Sequence, residues 1–475
     1  MSQNNQSNLT EVHTIENLPG NISELYVFGD LYSDTGNLFD ITEEAFGQGF
    51  PQEPFFEGRY ANGELWIENL APELGISYNF DTNFALQGAT TGLDHVGNPF
   101  VPNDEIEQLG LPGTLAQVNN SIASTPNLDP NGLYTVWAGA YDLGLGVTDT
   151  TEPVNNIIMA VENLADAGAK NIIVPNLPDL DRFPGTRDLP LPNIENQGEI
   201  IESWNANLSQ ELDDLDKTLG SDVNLIQLDT NFLLDRILDN PAQFGFTNAS
   251  DRFISASRDD SGIVYEETNP GADPDDYVFF GGTTPASPAQ PSAATHEIIA
   301  EFALSALASE GIEATEQFGT VDSDRLFGSH DSDRILGLAG DDRIRGRRGR
   351  DVLNGGTGDD TLRGNRGDDH LLGGAGDDVL VGGKDDDLLN GGAGDNYLRG
   401  GSGADTFVLN FNGSAIIEDF DVQDKIDLAG SLTFSDLYLL QQGNDMSISL
   451  DGIEIGRLLE FDANTLTTGN FIETA

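Results

Sequence analysis

Between residues 24 and 310, short apolar runs alternate with segments whose apolar residues recur at three- and four-residue spacing. The first pattern is typical of buried strands and the second of amphipathic helices. The predicted strands are Leu25 to Phe28, Leu133 to Ala138, Asn171 to Val174 and Asn224 to Leu228. The predicted helices include Leu65 to Leu74, Val154 to Ala167, Ile200 to Leu219 and Ala293 to Leu307. This alternation predicts an α/β domain, a parallel sheet flanked by helices. Ligands of such sheets bind at the carboxyl ends of the strands, where the first strand meets Gly29 and Asp30.

From residue 319 the pattern changes to a period of nine. Glycine recurs at Gly319, Gly328, Gly337, Gly346, Gly355, Gly364, Gly373, Gly382, Gly391 and Gly400. Five residues after each glycine comes Asp324, Asp333, Asp342, Asp351, Asp360, Asp369, Asp378, Asp387, Asn396 or Asp405. Two residues further on, the position is apolar in all ten repeats, from Leu326 to Phe407. A disordered glycine-rich linker is the alternative, but composition alone does not keep aspartate and leucine in phase.

Each repeated residue type has a physical role in a calcium-bound parallel β-roll. Aspartate supplies the hard anionic oxygens that calcium prefers, and glycine permits tight turns in which backbone carbonyl oxygens approach an ion. Further turn glycines that we expect near the ions are Gly358, Gly367, Gly376 and Gly394. The apolar residue is predicted to point into a narrow core. Since stacked carboxylates repel each other without a cation between them, we expect the array to fold only with calcium.

The turns are not expected to bind calcium equally. The third and fourth repeats contain Arg343, Arg345, Arg347, Arg348 and Arg350, whose positive charge opposes a nearby divalent cation. We therefore predict weak sites there and the best sites between Gly355 and Asp387.

These patterns predict a multidomain chain. Its expected parts are a polar tail (1–22), the α/β domain (23–310), a short linker (311–318), the all-β parallel β-roll (319–408) and a β-rich C-terminal region (409–475).

Charge and composition exclude several functions. The chain has 81 acidic and 21 basic residues and a net charge of −60, which disfavours nucleic acid and anionic lipid surfaces as partners. It lacks cysteine, so any metal is held by oxygen or histidine ligands. The N-terminal segment lacks the basic and apolar regions of a cleavable signal peptide, and no apolar run is long enough for a membrane span.

The repeats resemble the RTX, or haemolysin-type, calcium-binding nonapeptide, most clearly in the segments that begin at Gly355 and Gly373. This resemblance implies calcium as cofactor and an extracellular protein that a type I secretion apparatus exports through an uncleaved C-terminal signal in residues 409–475.

The α/β domain resembles the GDSL, or SGNH-hydrolase, family of lipases and esterases. The resemblance covers nearly all of residues 24–308. It rests on the segments Phe28 to Asn37, Asn62 to Leu70, Asn83 to Thr91, Val136 to Leu143, Asn171 to Pro178 and Pro291 to Ala300. It implies acyl transfer by a serine that a histidine and an aspartate activate, with an oxyanion hole formed by the serine backbone, a glycine and an asparagine.

The family's catalytic residues are replaced in this sequence. Leu31 stands at the nucleophile position, and Tyr141 replaces the oxyanion asparagine, although Gly88 matches the oxyanion glycine. Gln290 and Ser287 fall at the histidine and aspartate positions; a second alignment gives Thr284 and Gly281 instead. Neither alignment supplies a general base.

Other residues do not restore the triad. Ser33 lies two residues after Leu31, where turn formation or helix capping is the expected role, and His296 lies within a predicted helix, where packing is expected. Tyr32, Trp137 and Tyr141 could form an aromatic floor for a flat ligand, although core aromatics are more common.

The sequence therefore predicts a secreted calcium-binding protein whose hydrolase-like domain has lost ester hydrolysis and binds a ligand or has a structural role. The alternative is a hydrolase of lipid or acylated-carbohydrate esters that uses non-standard residues. An ester, a lipid or a carbohydrate is the ligand class that the family resemblance implies.

Overall fold

The computed structural model describes residues 22–95, 109–184, 197–220, 222–259, 262–281, 290–309, 314–430 and 432–472. Its helices are α1 Asn37–Phe46, α2 Trp66–Glu73, α3 Thr114–Ser124, α4 Ala140–Gly144, α5 Thr151–Asp166, α6 Gln197–Asp216, α7 Thr230–Asp239 and α8 Ala293–Ala308. The strands that precede α8 are β1 Leu25–Gly29, β2 Leu133–Trp137, β3 Asn171–Pro175, β4 Asn224–Leu228, β5 Asn248–Asp259, β6 Gly262–Glu267 and β7 Tyr277–Gly281.

The N-terminal part is built on a parallel sheet, as the sequence predicts. Within the described residues its strands lie in the order β1-β2-β3-β4, and every neighbouring pair is parallel. Parallel neighbours require crossover connections, which α3, α5 and α6 provide. The predicted strands and helices are confirmed, with ends that differ by no more than three residues. A small mixed sheet, β6-β5-β7, lies beside them.

The strands of the C-terminal part are short and regularly spaced. They are β8 Thr315–Phe318, β9 Arg325–Phe327, β10 Asp333–Leu336, β11 Arg343–Arg345, β12 Val352–Thr357, β13 Thr361–Arg363, β14 His370–Ala375, β15 Val379–Lys384, β16 Leu388–Asn390, β17 Gly394–Ser402, β18 Thr406–Leu409, β19 Gly413–Ile417, β20 Lys425–Leu428, β21 Leu437–Gln442, β22 Asp445–Leu450, β23 Ile453–Leu458 and β24 Phe471–Ile472.

These strands form the predicted roll. Successive repeats alternate between two sheets, ordered β24-β20-β18-β16-β14-β12-β10-β8 and β21-β22-β23-β19-β17-β15-β13-β11-β9. Strands within the repeats pair in parallel with a register of 18 residues, for example Leu353 with Leu371. Two nonapeptides therefore make one coil of the roll.

The apolar residue of each repeat points inward, as predicted. All ten, from Leu326 to Phe407, are buried and form one core cluster between the two sheets. One side chain per repeat fills this narrow space, so the roll contains little apolar volume per residue. Its stability therefore depends strongly on its turns.

The roll extends beyond the expected boundaries at both ends. Strand β8 lies in the expected linker but pairs with β10, so its four residues belong to the roll. After residue 408, β20 continues one sheet and β19 the other, and the antiparallel strands β21 to β23 complete the second sheet. Their side chains continue the interior cluster of the roll.

The roll packs directly on the α/β domain through α8. Leu336, Val352 and Leu372, on the outer face of the first roll sheet, belong to the same apolar cluster as the α/β core. Three hydrogen bonds join the end of α8 to this face: His370 Nδ1 to the Ala308 carbonyl at 2.6 Å, Arg334 Nε to Ser309 Oγ at 2.9 Å, and Asn354 Nδ2 to Ser305 Oγ at 3.2 Å. The two parts therefore share a packed interface.

The described helices include none with the length and hydropathy that a membrane crossing requires.

Candidate functional site

The loop that follows β1 holds the family nucleophile position. Gly29 ends the strand with φ of 147°, and a Cβ there would overlap the Trp137 carbonyl, so the close approach of β1 and β2 requires glycine. Leu31 follows in a turn, is 7% exposed and packs in the core cluster. A leucine side chain cannot attack a carbonyl carbon, and its burial fills this position with hydrocarbon.

Two buried carboxyl groups hold this loop. Asp34 accepts hydrogen bonds from the backbone N–H groups of Asn37 at 2.7 Å and Gln87 at 2.8 Å. Asp30 Oδ1 accepts the N–H of Tyr32 at 3.4 Å, and the backbone N–H of Asp30 donates to the Trp137 carbonyl at the end of β2 at 3.1 Å. Burial raises the pKa of Asp30 to about 8 and that of Asp34 to about 6. The loop is thus tied to the Gln87 segment and to the end of β2, and its frame is intact.

The oxyanion region keeps the glycine but not the amide. Gly88 is buried with φ of 95°, a backbone conformation that favours glycine. Tyr141 is also buried, and its hydroxyl lies near the side chain of Gln87, the residue before Gly88. Burial holds the pKa of this phenol well above its ordinary value, so it stays protonated. A bulky aromatic ring therefore occupies the place of a short amide.

The aromatic residues near this site form part of the core. Tyr32 stacks on Trp137 with ring centroids 4.8 Å apart, and Trp66 contacts the same indole edge to face at 5.7 Å. Tyr32, Trp137 and Tyr141 are all buried. They do not present an open aromatic floor, and packing is their role in this structure.

Ser33 does not replace the missing nucleophile. It is fully buried, and its Oγ accepts a hydrogen bond from the Trp66 indole at 3.3 Å. Its backbone N–H closes the turn on the Asp30 carbonyl at 3.2 Å. The turn role is as expected, but Ser33 does not cap α1, because Gly36 is the residue at the N-cap.

Of the four positions proposed for the family's histidine and aspartate, the structure describes Gln290 and Gly281. Neither residue can act as a general base. Gln290 is buried, and its backbone pairs with Gly281 at the end of β7, with N–H to carbonyl at 3.0 Å. Gln290, the histidine position of one alignment, therefore lies beside Gly281, the aspartate position of the other. Ser287 and Thr284 lie outside the described residues.

The structure places one histidine near the site that its sequence context did not indicate. His95 Nε2 lies 2.6 Å from the carbonyl oxygen of Gln87, and its backbone bridges to Ala89, so it flanks Gly88. Since no family motif includes this position, only the three-dimensional structure could find it. His296 is buried in α8, where burial lowers the pKa of the imidazole to about 3 and keeps it neutral. It packs in the core, as expected.

The repeat aspartates form two ladders along the turns of the roll. Oδ1 of each aspartate from Asp342 to Asp405, and of Asn396, accepts the backbone N–H of the repeat residue 18 positions earlier, at 2.6 to 3.0 Å. The side chain therefore joins successive coils through one oxygen. This contact orients the second oxygen towards the turn.

That second oxygen has no hydrogen-bond partner in six turns. Oδ2 is buried and unpartnered in Asp342, Asp351, Asp360, Asp369, Asp378 and Asp387. In the turn of Asp360, a Cβ on Gly355 would fall on Oδ2 and on the Gly373 carbonyl oxygen of the next coil. Two oxygens that face each other without a hydrogen between them repel unless a cation lies there. This geometry fits calcium.

The glycines of the turns serve two different purposes. Gly358, Gly367, Gly376 and Gly394 adopt φ values of 110° to 143°, as a tight turn requires. The glycines at nine-residue spacing, Gly355, Gly364, Gly373, Gly382 and Gly391, do not need positive φ. They are required because a side chain there would strike the carboxylate, or in one turn the amide, five residues later.

The ladder carboxyl groups are costly to ionise in the folded chain. Burial, followed by neighbouring carboxylates, raises the pKa of Asp360 and Asp378 to about 7, of Asp369 to about 8 and of Asp387 to about 9. A bound cation would reverse this effect, since it stabilises the charged form.

The turns differ in whether the second polar atom of the repeat side chain has a hydrogen-bond partner. This difference does not follow the positions of the arginine residues. Asp324 and Asp333 have Oδ2 bonded within their own turns, to Thr320 N–H at 2.7 Å and to Ser329 N–H. Asn396 donates its amide to the Gly392 carbonyl at 3.3 Å. In these three turns, a backbone group of the same turn is the hydrogen-bond partner. Asp342 and Asp351 lie beside the arginines and have the same unpartnered Oδ2 as the later turns.

Among the described residues, no group of three or more His, Asp or Glu side chains converges as a metal site. An ion in these turns would therefore be held mainly by backbone carbonyl oxygens, with a carboxylate from each neighbouring coil, a donor set that suits calcium.

Comparison with known proteins agrees with both parts of this description. The sequence model of the family described as GDSL-like Lipase/Acylhydrolase matches residues 25–301, more than half of the chain. The model of the RTX calcium-binding nonapeptide repeat matches four times, over residues 318–353, 346–380, 354–389 and 372–407.

Several known proteins are similar to part of this chain. An acetylesterase of Thermothelomyces thermophilus is 30% identical over 240 residues, 48% of this chain and 76% of the relative. A thermolabile hemolysin of Vibrio parahaemolyticus is 26% identical over 297 residues, 60% of this chain and 64% of the relative. A solved G-D-S-L family protein from Veillonella parvula is 15% identical with a TM-score of 0.27, covering 48% of this chain and 88% of that one. The chain therefore belongs to the GDSL-like lipase/acylhydrolase family and carries RTX calcium-binding nonapeptide repeats after the family's domain.

Proposed function

We propose that this chain is a secreted calcium-binding protein whose GDSL domain no longer hydrolyses esters and acts as a binding or structural module. The observation that carries this proposal is the buried Leu31 at the family's nucleophile position. In serine hydrolases the attacking oxygen and its base act as one unit, so removal of either already costs ~10⁴ to 10⁶ in rate. Here both are replaced.

The pattern of losses supports loss of catalysis with retention of the fold. The hydrogen bonds that hold the frame persist, such as those of Asn37 Nδ2 to the carbonyls of Asn83 and Ala85 at 2.9 Å. In contrast, the four positions that do chemistry hold Leu31, Tyr141, Ser287 and Gln290. A domain that keeps its structural residues while it loses only reactive ones is under no requirement to turn over esters.

The calcium sites of this proposal are the repeat turns with an unpartnered carboxylate oxygen, from Asp342 to Asp387. Millimolar calcium outside the cell would fill such turns, whereas low cytosolic calcium would leave them open during export. We propose that a type I secretion apparatus exports the chain and that its signal lies in residues 409–475. The RTX repeats and the similarity to a hemolysin support an extracellular location.

A second candidate function is ester hydrolysis by non-standard residues, which the similarity to an acetylesterase favours. Tyr141 and His95, which contact Gln87 on either side of the oxyanion segment, are the groups that it would use.

Incubation of the calcium-loaded full chain with short-chain nitrophenyl esters separates the two candidates. The proposal expects no turnover above the buffer rate and no covalent adduct with a fluorophosphonate in the intact mass. Turnover that is lost in Tyr141→Phe or His95→Gln, with the same unfolding temperature as the parent chain, would establish the second candidate. Ser33→Ala is the matched control, because its hydroxyl is buried against Trp66.

A further inference from the structure

The roll carries a concentration of positive charge that calcium binding does not use. Nine of the 21 basic residues lie between residues 325 and 366, in a chain with net charge −60. Arg334 packs at the interface with α8 and bonds to Glu316. The other eight are Arg325, Arg343, Arg345, Arg347, Arg348, Arg350, Arg363 and Arg366.

Four of these arginines form a regular grid on the outside of one sheet. Arg325 on β9, Arg343 and Arg345 on β11 and Arg363 on β13, together with Phe327 on β9, are here called the arginine face. The strand residues between them, Leu326, Ile344 and Leu362, are buried in the roll, so the alternation of a strand points the arginines outward. All five residues of the face are exposed.

Strand register aligns the charges. Arg325 pairs with Arg343, and Arg345 pairs with Arg363 across parallel strands. Neighbouring strands lie about 4.8 Å apart, and alternate residues of one strand lie about 6.6 Å apart. The backbone positions that carry these arginines are therefore closely spaced. Like charges directly opposite each other destabilise a sheet. The paired arginines on the outer surface of this sheet therefore destabilise it.

No ion pair between the residues that the structure describes neutralises this face. Within the described residues, the roll's ion pairs involve Arg334, Arg399 and Arg457, and none involves an arginine of the arginine face. The arginines of this face make no ion pair within the described residues, although the chain has 81 acidic residues, many of them in the adjacent turns.

An exposed aromatic ring lies among these charges. Phe327 is 48% exposed, and the Arg347 guanidinium lies 5.4 Å from its ring centroid. An apolar ring beside guanidinium groups suits a partner that has both anionic groups and an apolar C–H surface. A sugar ring that carries a carboxylate has both, whereas a bare phosphate chain lacks the second.

We propose that the arginine face binds a linear acidic polysaccharide with regularly spaced carboxylates. A guanidinium binds a carboxylate through two parallel hydrogen bonds. A chain laid obliquely across the three strands, which lie about 4.8 Å apart, meets at least one arginine on each of them. The patch is only three strands wide. A nucleic-acid duplex or a membrane surface would also face the acidic protein around the patch. The repulsion between them, which acts over a Debye length of about 8 Å, disfavours both partners. A single glycan chain, in contrast, fits within the patch.

Binding of a fluorescent oligogalacturonate to the calcium-loaded full chain, measured by polarisation, tests this proposal. A short oligomer avoids gelation by calcium. The test variant is Arg343→Gln with Arg345→Gln, and Arg325→Gln with Arg363→Gln is the second pair in case the first impairs folding. The matched control is Arg399→Gln with Arg457→Gln, which removes two charges from the same sheet outside the face.

The proposal expects saturable binding that weakens with salt, on the order of 10-fold weaker in either test pair and little changed in the control pair. Absence of binding to the parent chain, or equal loss in test and control pairs, would overturn it. Equal or tighter binding of dextran sulfate or single-stranded DNA would replace the carboxylated glycan by a generic polyanion. Self-association of the parent chain that the test pair abolishes would identify a second copy's acidic surface as the occupant instead.

Discussion

Replacement of Asp378 by asparagine tests whether the unpartnered ladder oxygen is the reason that the roll needs calcium. Asp378 Oδ1 accepts the N–H of Asp360 at 2.8 Å, while Oδ2 is buried without a partner. Asparagine keeps the first contact and places an N–H₂ group at the second. The chain already contains this arrangement one coil later, where Asn396 donates to the Gly392 carbonyl at 3.3 Å.

The magnitude follows from the pKa of Asp378, which rises from its ordinary value of 3.8 to about 7 in the folded chain because of burial. A folded-state pKa above the unfolded value means that the calcium-free fold is favoured at low pH and loses stability as pH rises towards 7. A difference of about three units corresponds to roughly 4 kcal/mol from this one group at neutral pH. A domain's total stability is only about 5 to 15 kcal/mol, so a few such groups unfold a calcium-free roll.

Acid-induced folding in chelator, followed by far-ultraviolet circular dichroism, measures this effect. Asp378→Asn should move the folding midpoint to higher pH and stabilise the calcium-free roll by up to about 4 kcal/mol at neutral pH, while it weakens calcium binding. Asp377→Asn is the matched control, because Asp377 is exposed and its acceptor oxygen is conserved in asparagine. If Asp378→Asn destabilised the roll in chelator as much as in calcium, the electrostatic reasoning would be refuted.

Three further predictions concern other parts of the molecule. Leu372→Ala should weaken the interface between the roll and the α/β domain by about 2 to 5 kcal/mol. Calcium should then no longer raise the unfolding temperature that the fluorescence of Trp66, Trp137 and Trp204 reports. An unchanged calcium response would show that the two parts unfold independently. Asp324→Asn should leave the number of bound calcium ions unchanged in isothermal titration calorimetry, since Thr320 already satisfies its Oδ2, whereas Asp369→Asn should lose a site; equal losses would contradict the distinction. Leu31→Ser should remain inactive towards nitrophenyl esters, because a serine without a base is not activated, and turnover in this variant would reveal a general base at the site.

Much of the fold follows from periodicity in the sequence. The spacing of apolar residues predicts β1, β2, β3 and β4 and the main helices, because each pattern reports local burial. The nine-residue repeat predicts the roll and its core, since glycine, aspartate and an apolar residue recur in fixed phase. Where several turns deviate, as at Ser329 and Asn396, the repeat pattern alone does not reveal which carboxylate finds a local partner.

Contacts between distant segments could not be predicted in this way. Val352 and Leu372 precede or follow repeat core positions, yet they pack on α8 because that face of the roll is covered by the other domain. His95 lies beside Gln87 through a backbone bridge that no motif encodes. Strand β8 resembles a polar linker and becomes a strand only because β10 supplies its partner.

Hydrogen–deuterium exchange of the full chain at pH 7, with calcium and with chelator, tests most directly whether the roll needs cations between its carboxylates. Amides of residues 319–408 should exchange slowly with calcium and at the rate of an unfolded chain in chelator, with protection regained on addition of calcium. Slow exchange of these amides in chelator would show that the stacked carboxylates tolerate one another without a divalent ion.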